Sequence, residues 1–203
     1  MATQVRGNAR RETIMRASLE VFLEGGFLGT SVDDIAAAAQ TSKRTVYHHF
    51  GDKEGLFREV IRSTIAPMQA ALQEQLDLAR NEDPWESLRA VTRRLAAIVI
   101  TPEVIRLRRV VSAEADRFPD LADEWYRLGP AQTADRLAVW LAASGIPIPD
   151  PRTAAEQLIW LVVSAPLHRL MFAPSGEMAL PGELDRAASA AFDLFRLAFQ
   201  RPG

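Results

Sequence analysis

The fold is decided by residues 30–56, which read TSVDDIAAAAQTSKRTVYHHFGDKEGL. An alanine-rich helical pattern, a polar break at Gln40 and Thr41, and a second short helical pattern follow one another in this stretch. Two short helices joined by a turn of about three or four residues form a helix-turn-helix, which places its second helix in the major groove of DNA. We therefore predict such a unit here.

The second helix of this unit has one inward and one outward side. Ser42 is a suitable N-cap for a helix over residues 43–50, and Val46 and Phe50 share one side of it. A solvated face more often carries Lys, Glu and Gln, so the guanidinium, hydroxyl, phenol and imidazole on the other side indicate DNA contact. These outward residues are Arg44, Thr45, Tyr47 and His48. The alternative is that Tyr47 packs against a neighbouring helix and that His48 has no role.

The polar residues at the edges of the stretch predict helix caps and a phosphate contact. Thr30 or Ser31 can cap the first helix, and Asp52 can cap a further helix that begins at Lys53. Cations beside helix N-termini commonly bind phosphate, so we expect Lys53 to hold the DNA backbone.

The chain ahead of the stretch reads as a short arm followed by a helix. Residues 1–7 are small and polar, which predicts a flexible arm whose Arg6 either reaches DNA or is merely solvated. Apolar residues at helical spacing predict a helix over residues 8–24, with Gly25 and Gly26 ending it.

Composition narrows the class of protein. The chain has 203 residues, of which 48% are hydrophobic, a net charge of −2 and no cysteine. The absence of cysteine excludes disulfides and thiolate metal sites, and a chain with this charge needs a local basic patch to bind DNA. We find no signal peptide and no apolar stretch of the roughly 20 residues that span a membrane, so we expect a cytoplasmic protein with no membrane partner.

Beyond residue 79 the chain predicts a helical second domain. Asp83 before Pro84, and Thr101 before Pro102, are typical of helix starts, while Gly129 and Pro130 predict a bend. The last two helices, predicted over about 153–172 (capped by Thr153) and 183–199, are rich in apolar residues, and the first is apolar on nearly all sides. Helices of this kind must be buried on more than one side, which favours a homodimer through them. The alternative is a single thick bundle without a partner.

The N-terminal part resembles a known family. GGFLGTSVDDIAAAAQTSKRTVYHHFGDKEGLF is similar to the signature of the TetR family of bacterial transcriptional regulators, although Arg44 stands where many relatives have Gly. A shorter stretch, RLRRVVSAEADRFPDLADEWYRLGP, looks like an AefR-like C-terminal domain. The resemblance implies an operator as partner, dimerisation through the last two helices, and an effector that is a small apolar or aromatic molecule. With Thr30 included, the predicted DNA-binding set is Thr30, Ser42, Lys43, Arg44, Thr45, Tyr47, His48 and Lys53.

The predicted fold is all-α. Residues 1–52 are expected to form the arm and the three-helix DNA-binding domain, and residues 53–203 the larger ligand-binding and dimerisation domain, with about nine helices in total. A ligand pocket is predicted at four aromatic residues, which could equally be core: Trp85, Phe118, Trp125 and Tyr126.

The sequence predicts neither catalysis nor a cofactor. It contains no glycine-rich phosphate loop, no HExxH and no Ser/His/Asp arrangement. His168 with Glu114 or Asp116 could be imagined as a metal site or a general base, but a lone histidine is more often structural. The prediction is a ligand-responsive repressor and not an enzyme. The alternatives are a helical enzyme or metabolite carrier without DNA preference, and an activator or architectural factor without an effector.

Overall fold

The computed structural model describes residues 2–79, 83–174, 177–180 and 182–200, with side chains from Asn8 onward. All regular structure in these ranges is helical, as predicted. If the nearly continuous run 119–143 is taken as one helix, the number agrees with the predicted nine. The elements are α1 (Ala2–Gly29), α2 (Val32–Ala38), α3 (Lys43–Phe50), α4 (Lys53–Leu78), α5 (Pro84–Val99), α6 (Pro102–Ala113), α7 (Pro119–Tyr126), a π-helical segment (Arg127–Ala131), α8 (Gln132–Ala143), α9 (Pro151–Phe172) and α10 (Glu183–Phe199).

The chain forms two compact units that are not continuous in sequence. Unit 1 contains residues 1–64 and 106–125, and unit 2 contains residues 65–105 and 126–203. The sequence predicted a functional boundary after residue 52, between a DNA-binding domain and a ligand-binding and dimerisation domain. That functional boundary remains a prediction. As a packing unit, however, unit 1 combines α1, α2 and α3 with the first part of α4, the second part of α6 and most of α7.

The beginning of unit 1 differs from the sequence prediction at both ends of the first helix. α1 begins at Ala2 instead of Asn8, so the predicted arm is helical. Gly26 has φ 70° and ψ 175°, which interrupts the helix near the predicted stop, but helical turns resume as far as Gly29. Glycine tolerates this positive φ without the steric cost that a Cβ brings.

A cluster of phenylalanines forms the centre of unit 1. The Phe22 and Phe57 rings are 4.8 Å apart, and Phe27 lies 5.0 Å from Phe57. Phe118, which precedes α7, contacts Phe27 edge to face at 4.7 Å. Such aromatic pairs add to the gain from burying apolar area, so the segment around Phe118 is part of the core of unit 1.

Unit 2 is a helical bundle with a large apolar core drawn from α4, α5, α8, α9 and α10. Asp83 caps α5, as predicted, by accepting hydrogen bonds from the backbone N–H groups of Trp85 and Glu86. The predicted cap of α9 was wrong. Asp150, followed by Pro151 at the first helical position, accepts the backbone N–H of Thr153 at 3.1 Å, so α9 begins two residues earlier than predicted.

The predicted bend at Gly129 and Pro130 is a π-helical turn between α7 and α8. Pro130 has no N–H to donate, and a wider turn accommodates it while the flanking residues keep helical dihedral angles. The Gln69 side chain on α4 donates hydrogen bonds to the carbonyls of Leu128 and Gly129 and to the Thr133 hydroxyl. The turn is therefore held by a specific contact. Within the described ranges, no helix is long and apolar enough to cross a bilayer.

Candidate DNA-binding site

The turn between α2 and α3 fixes where the second helix begins. Ser31 forms a reciprocal capping box with Asp34, which also keeps the pKa of the Asp34 carboxyl below its ordinary value through hydrogen bonds from Ser31. Gln40 has φ 49°, and the Thr41 N–H donates to the Ala36 carbonyl at 2.9 Å, which closes the turn. Ser42 then accepts the Thr45 N–H at 3.1 Å as N-cap of α3. The predicted cap at Ser42 is confirmed.

The buried side of α3 anchors the helix on unit 1. Val46 is fully buried, and Phe50 is half-buried beneath the guanidinium of Arg11, which lies 5.2 Å from its ring centroid. Both lie on the side that the sequence predicted to face inward.

The opposite side of α3 is open and polar. Arg44, Tyr47 and His48 are exposed, and Thr45 is half-buried with its hydroxyl 2.8 Å from that of Ser42. Among the described residues, Arg44 has neither a hydrogen bond nor an ion pair. Lys43 donates to Asp33 at 2.8 Å, and this hydrogen bond raises the pKa of the lysine. The structure therefore brings six of the eight predicted DNA-binding residues onto or next to one helix, and Arg44 is the one with an unengaged charge.

The other two predicted DNA-binding residues are engaged inside unit 1. Thr30 is 3% exposed, and its hydroxyl donates to the carbonyl of Gly26 at 2.8 Å. The Lys53 ammonium donates to the carbonyls of Phe27 and Thr30 at 2.8 and 2.9 Å and lies 4.5 Å from the Phe27 ring centroid. In this structure both residues fasten the end of α1 to the start of α2 and α4. The sequence could not reveal this because the acceptors of Lys53 are backbone carbonyls, which leave no pattern of residue types.

Charged residues that the sequence analysis did not single out join α4 to α1 and α7. Glu124 on α7 is buried and accepts hydrogen bonds from Arg58 at 2.9 Å and from Arg62 at 2.6 Å. Arg62 also donates to Glu59 at 2.7 Å, and Arg11 of α1 pairs with the same carboxylate. The hydrogen bonds from Arg62 to Glu59 and Glu124 raise the pKa of its guanidinium. This network connects α4 to α1 on one side and to α7 on the other. Its members are far apart in sequence, so only the structure reveals it.

The four predicted ligand-contacting aromatic residues are divided between the units. Trp125 belongs to unit 1 together with Phe118, and the Arg108 guanidinium lies 5.7 Å from the centroid of its ring. In unit 2, Trp85 contacts Phe192 at 6.4 Å, and Tyr126 is exposed. Phe118 and Trp85 thus have core partners, and the assignment of all four to a ligand remains a prediction.

The predicted dimerisation helices α9 and α10 expose apolar side chains. They pack on each other within unit 2, and their buried residues belong to its core. Both helices nevertheless leave a stripe of large apolar residues uncovered. The stripes contain Trp160, Leu161 and Phe172 on α9, and Leu194 and Leu197 on α10. Phe172 and Leu197 are each 80% exposed.

His168 belongs to the surface of α9. Its ring lies 5.1 Å from that of Phe172, whereas Glu114 and Asp116 belong to the other unit. In the part of the chain that the structure describes, no group of three or more His, Asp or Glu residues is placed to hold a metal ion.

Comparison with known proteins places the chain in one family. Residues 14–60 match the profile of the bacterial regulatory proteins of the tetR family, and residues 86–201 match that of the AefR-like transcriptional repressor C-terminal domain. The transcriptional repressor NicS of Pseudomonas putida is 38% identical over 80 residues, which are 39% of this chain and 36% of NicS. The chain spans little more than a third of NicS and less than half of several other curated relatives.

Solved structures extend the likeness to nearly the whole chain. A TetR-family regulator from Mesorhizobium loti has a TM-score of 0.87 and 32% identity, covering 96% of this chain and 98% of its own. The flavonoid-responsive regulator FrrA has a TM-score of 0.75 and 29% identity, covering 96% and 100%. The chain belongs to the TetR family of bacterial regulatory proteins and is a DNA-binding transcriptional regulator.

Proposed function

We propose that the protein is a homodimeric repressor that a small organic ligand releases from its operator. The observation that carries this proposal is the open polar side of α3, whose Arg44 guanidinium has no partner in the described structure while the opposite side of the helix is buried. A polar surface on a firmly anchored short helix suits direct reading of base edges.

The proposed reading set consists of the residues on and beside α3. Arg44 is suited to the O6 and N7 acceptors of guanine, and the caps that fix α3 orient it. Ser42, Lys43 and Thr45 lie at the N-terminus of the helix, where backbone N–H groups and hydroxyls suit phosphate. Tyr47 and His48 complete the exposed surface. Thr30 and Lys53 are proposed as supports of this set, since their polar groups are engaged within unit 1.

The dimer is proposed from the uncovered apolar stripes of α9 and α10. A large exposed apolar patch on a globular protein commonly marks an interface. A second copy of the same chain covers such a surface through a two-fold axis and also supplies a second reading helix. Two helices then contact half-sites about one turn of DNA, roughly 34 Å, or a multiple of it apart.

The regulation is proposed by analogy, because the related regulator FrrA is flavonoid-responsive. Sites for small organic molecules are mostly apolar, with a few polar groups that fix the ligand. A ligand that favours a conformation with mismatched reading helices weakens DNA binding, and linkage requires DNA to weaken ligand binding by the same factor, typically about 5- to 150-fold.

The test begins with DNA and ends with ligand. Selection of bound sequences from random DNA by the full chain should yield a two-fold symmetric site, and footprinting should show two protected half-sites. Small aromatic metabolites are then screened for release of that DNA. Asymmetric sites contacted by one chain contradict the dimer, and a ligand that binds without changing operator affinity contradicts the release mechanism.

The rival functions predict different outcomes in the same experiments. A helical enzyme or carrier predicts turnover or tight binding of a metabolite with no DNA preference. An activator or architectural factor predicts selected sites without release by any ligand. Transcription from the selected site in a cell-free system, with and without the protein, gives the sign of regulation. The relatives named as repressors favour repression.

A further inference from the structure

Two buried donors without acceptors lie close together in unit 1. Trp125 on α7 is 7% exposed, and its indole Nε1 is buried without a hydrogen-bond partner among the described residues. The Nε of Arg108 on α6 is buried and without a partner in the same way. The guanidinium carbon of Arg108 lies 5.7 Å from the Trp125 ring centroid. Buried polar groups are almost always hydrogen-bonded, so two neighbouring exceptions call for an explanation.

Arg108 differs from its neighbours because it lacks a carboxylate. In unit 1, Arg58 and Arg62 share Glu124, Arg11 pairs with Glu59, and Arg106 has Glu20 at 3.9 Å. No described acidic residue pairs with Arg108, which is half-buried. Burial alone lowers the pKa of its guanidinium. A partly desolvated cation without a counter-charge is costly, and an anion that reaches it removes that cost.

We propose that Arg108 and Trp125 bind the acidic group of the effector, which is a small flat organic acid. This inference rests on the proposed function, because it specifies the ligand of a ligand-responsive regulator. It adds an acidic group to the effector that the family resemblance implied, which was a small apolar or aromatic molecule.

The two residues offer complementary contacts to such a molecule. A guanidinium binds a carboxylate through parallel hydrogen bonds, and charge-assisted bonds of this kind are about twice as strong as neutral ones. The indole N–H is a donor only, so it suits an oxygen acceptor and not a second cation. The flat aromatic body is taken from the effector that the family resemblance implies, a small apolar or aromatic molecule. Since Arg108 is half-buried, part of its side chain is accessible from outside.

The first experiment compares acids with their neutral counterparts. Benzoate, 4-hydroxybenzoate, cinnamate and 2-naphthoate are titrated into the purified full-length protein by calorimetry, each beside its primary amide. We expect at least one acid to bind and its amide to bind at least about tenfold more weakly, the usual loss when a charge-assisted hydrogen bond is removed. Inorganic phosphate and sulfate are a separate arm. Binding of these ions without any organic acid, equal binding of acid and amide, or no binding of any acid overturns the proposal.

The second experiment identifies the residues with matched variants. Arg108→Met should weaken binding of the acid by roughly 10- to 100-fold, and Trp125→Phe should weaken it less. Arg117→Met is the control, because Arg117 is an exposed arginine in the same segment, and it should leave binding unchanged. Equal losses in Arg108→Met and Arg117→Met indicate a diffuse charge effect and contradict a specific site.

A third measurement does not require a bound ligand. Because the Arg108 charge is uncompensated, Arg108→Met should raise the unfolding temperature of the free protein, by roughly 2–4 °C for a modest relief of free energy in a chain of this size. A lower unfolding temperature shows that the guanidinium is already satisfied, which overturns the proposal. In ¹⁵N-indole spectra, the resonance that disappears in Trp125→Phe should shift downfield when the acid is added.

These outcomes are separable from failure of the proposed function. Acid binding is measured without DNA, so it stands even if no operator is found. Conversely, if the protein selects a two-fold symmetric operator but no organic acid binds, the regulator proposal stands and the anion site falls. If an acid binds through Arg108 but leaves the operator complex intact, the site stands and its role as the effector site falls.

Discussion

The open side of α3 and the uncovered stripe of α9 and α10 differ in their chemistry. The side of α3 is small and polar, and it displays hydrogen-bonding groups on a helix whose opposite side is buried. The second is larger and apolar, with Phe172 and Leu197 almost fully exposed. A polar face that is fixed from behind suits a partner read by hydrogen bonds, whereas an apolar face suits a partner held by burial. The difference supports the proposal that the polar side of α3 contacts DNA and that the apolar face contacts another copy of the chain.

The largest expected effect comes from placing charge on the apolar face. Leu197→Glu combined with Trp160→Glu should convert the dimer into monomers, because two carboxylates cannot be desolvated without a partner. Operator affinity should fall by about 100-fold or more, since the second half-site is no longer reached through the same complex. Light scattering gives the mass, and fluorescence anisotropy gives the affinity.

The control for this variant is an apolar side chain outside the stripe. Val139 on α8 is 67% exposed, so Val139→Glu adds the same kind of charge elsewhere in unit 2. It should leave mass and operator affinity unchanged. If Val139→Glu yields monomers, or if the double variant remains dimeric, the assignment of the interface to α9 and α10 is wrong.

The next effect tests whether Lys53 supports the polar face from within. Lys53→Met removes two charge-assisted hydrogen bonds to backbone carbonyls and should lower the free energy of unfolding by about 1.5–3 kcal/mol. Lys43→Met is the matched control, because its partner Asp33 is exposed, and such surface pairs contribute about 0–1 kcal/mol. Chemical denaturation measures both. If Lys53→Met loses operator affinity but no stability, the result supports the phosphate contact predicted from the sequence instead.

A smaller effect concerns base reading at the polar face. Arg44→Ala should cost about 1–3 kcal/mol on the selected operator, if the guanidinium binds a guanine edge, and much less on random DNA. Arg44→Lys keeps the charge but loses the bidentate geometry. It should therefore restore the affinity for random DNA but not the preference for the selected operator. Competition anisotropy with both DNAs measures the difference. Equal losses on the two DNAs indicate a phosphate contact only.

The smallest effect is a pH dependence of the support beneath the polar face. Burial opposes ionisation of Glu59, but hydrogen bonds from Arg62 and Arg11 outweigh it and hold the pKa of the Glu59 carboxyl below its ordinary value. A lowered carboxyl pKa contributes stability that is present above the unfolded pKa, about 4.3, and is lost as the pH falls through the folded value. Urea denaturation between about pH 3 and 6 should therefore show a shallower acid loss in Glu59→Gln than in the unaltered chain. Identical slopes contradict this contribution.

The sequence predicted what local chemistry determines. The helical class, the turn at Gln40 and Thr41, and the caps at Ser42, Asp52 and Asp83 follow from residue types at fixed spacing, and they are confirmed. The inward side of α3 was also correct, because a helical wheel depends only on periodicity.

The sequence was least informative where the partner is distant in sequence or is a backbone group. Lys53 has backbone acceptors more than twenty residues away, and its residue type alone suggested a phosphate contact, which stays a prediction. Glu124 reaches Arg58 and Arg62 across more than sixty positions, which no local pattern indicates. Trp125 was predicted to contact a ligand or to belong to the core, and Arg108 was not singled out. Only the absence of acceptors around them in the described structure distinguishes these two residues.

Unit 1 is built from two separate stretches of the chain, 1–64 and 106–125. Exchange of DNA-binding parts between such regulators must therefore move both stretches. A chimera cut after α4 keeps the reading helices but discards Phe118 and Glu124, so Phe27 loses an aromatic neighbour and two arginines lose their shared carboxylate. A graft that transfers residues 106–125 together with residues 1–64 keeps these pairs intact. Exchange of specificity between relatives is therefore expected to succeed as a two-piece transplant and to weaken folding as a one-piece transplant.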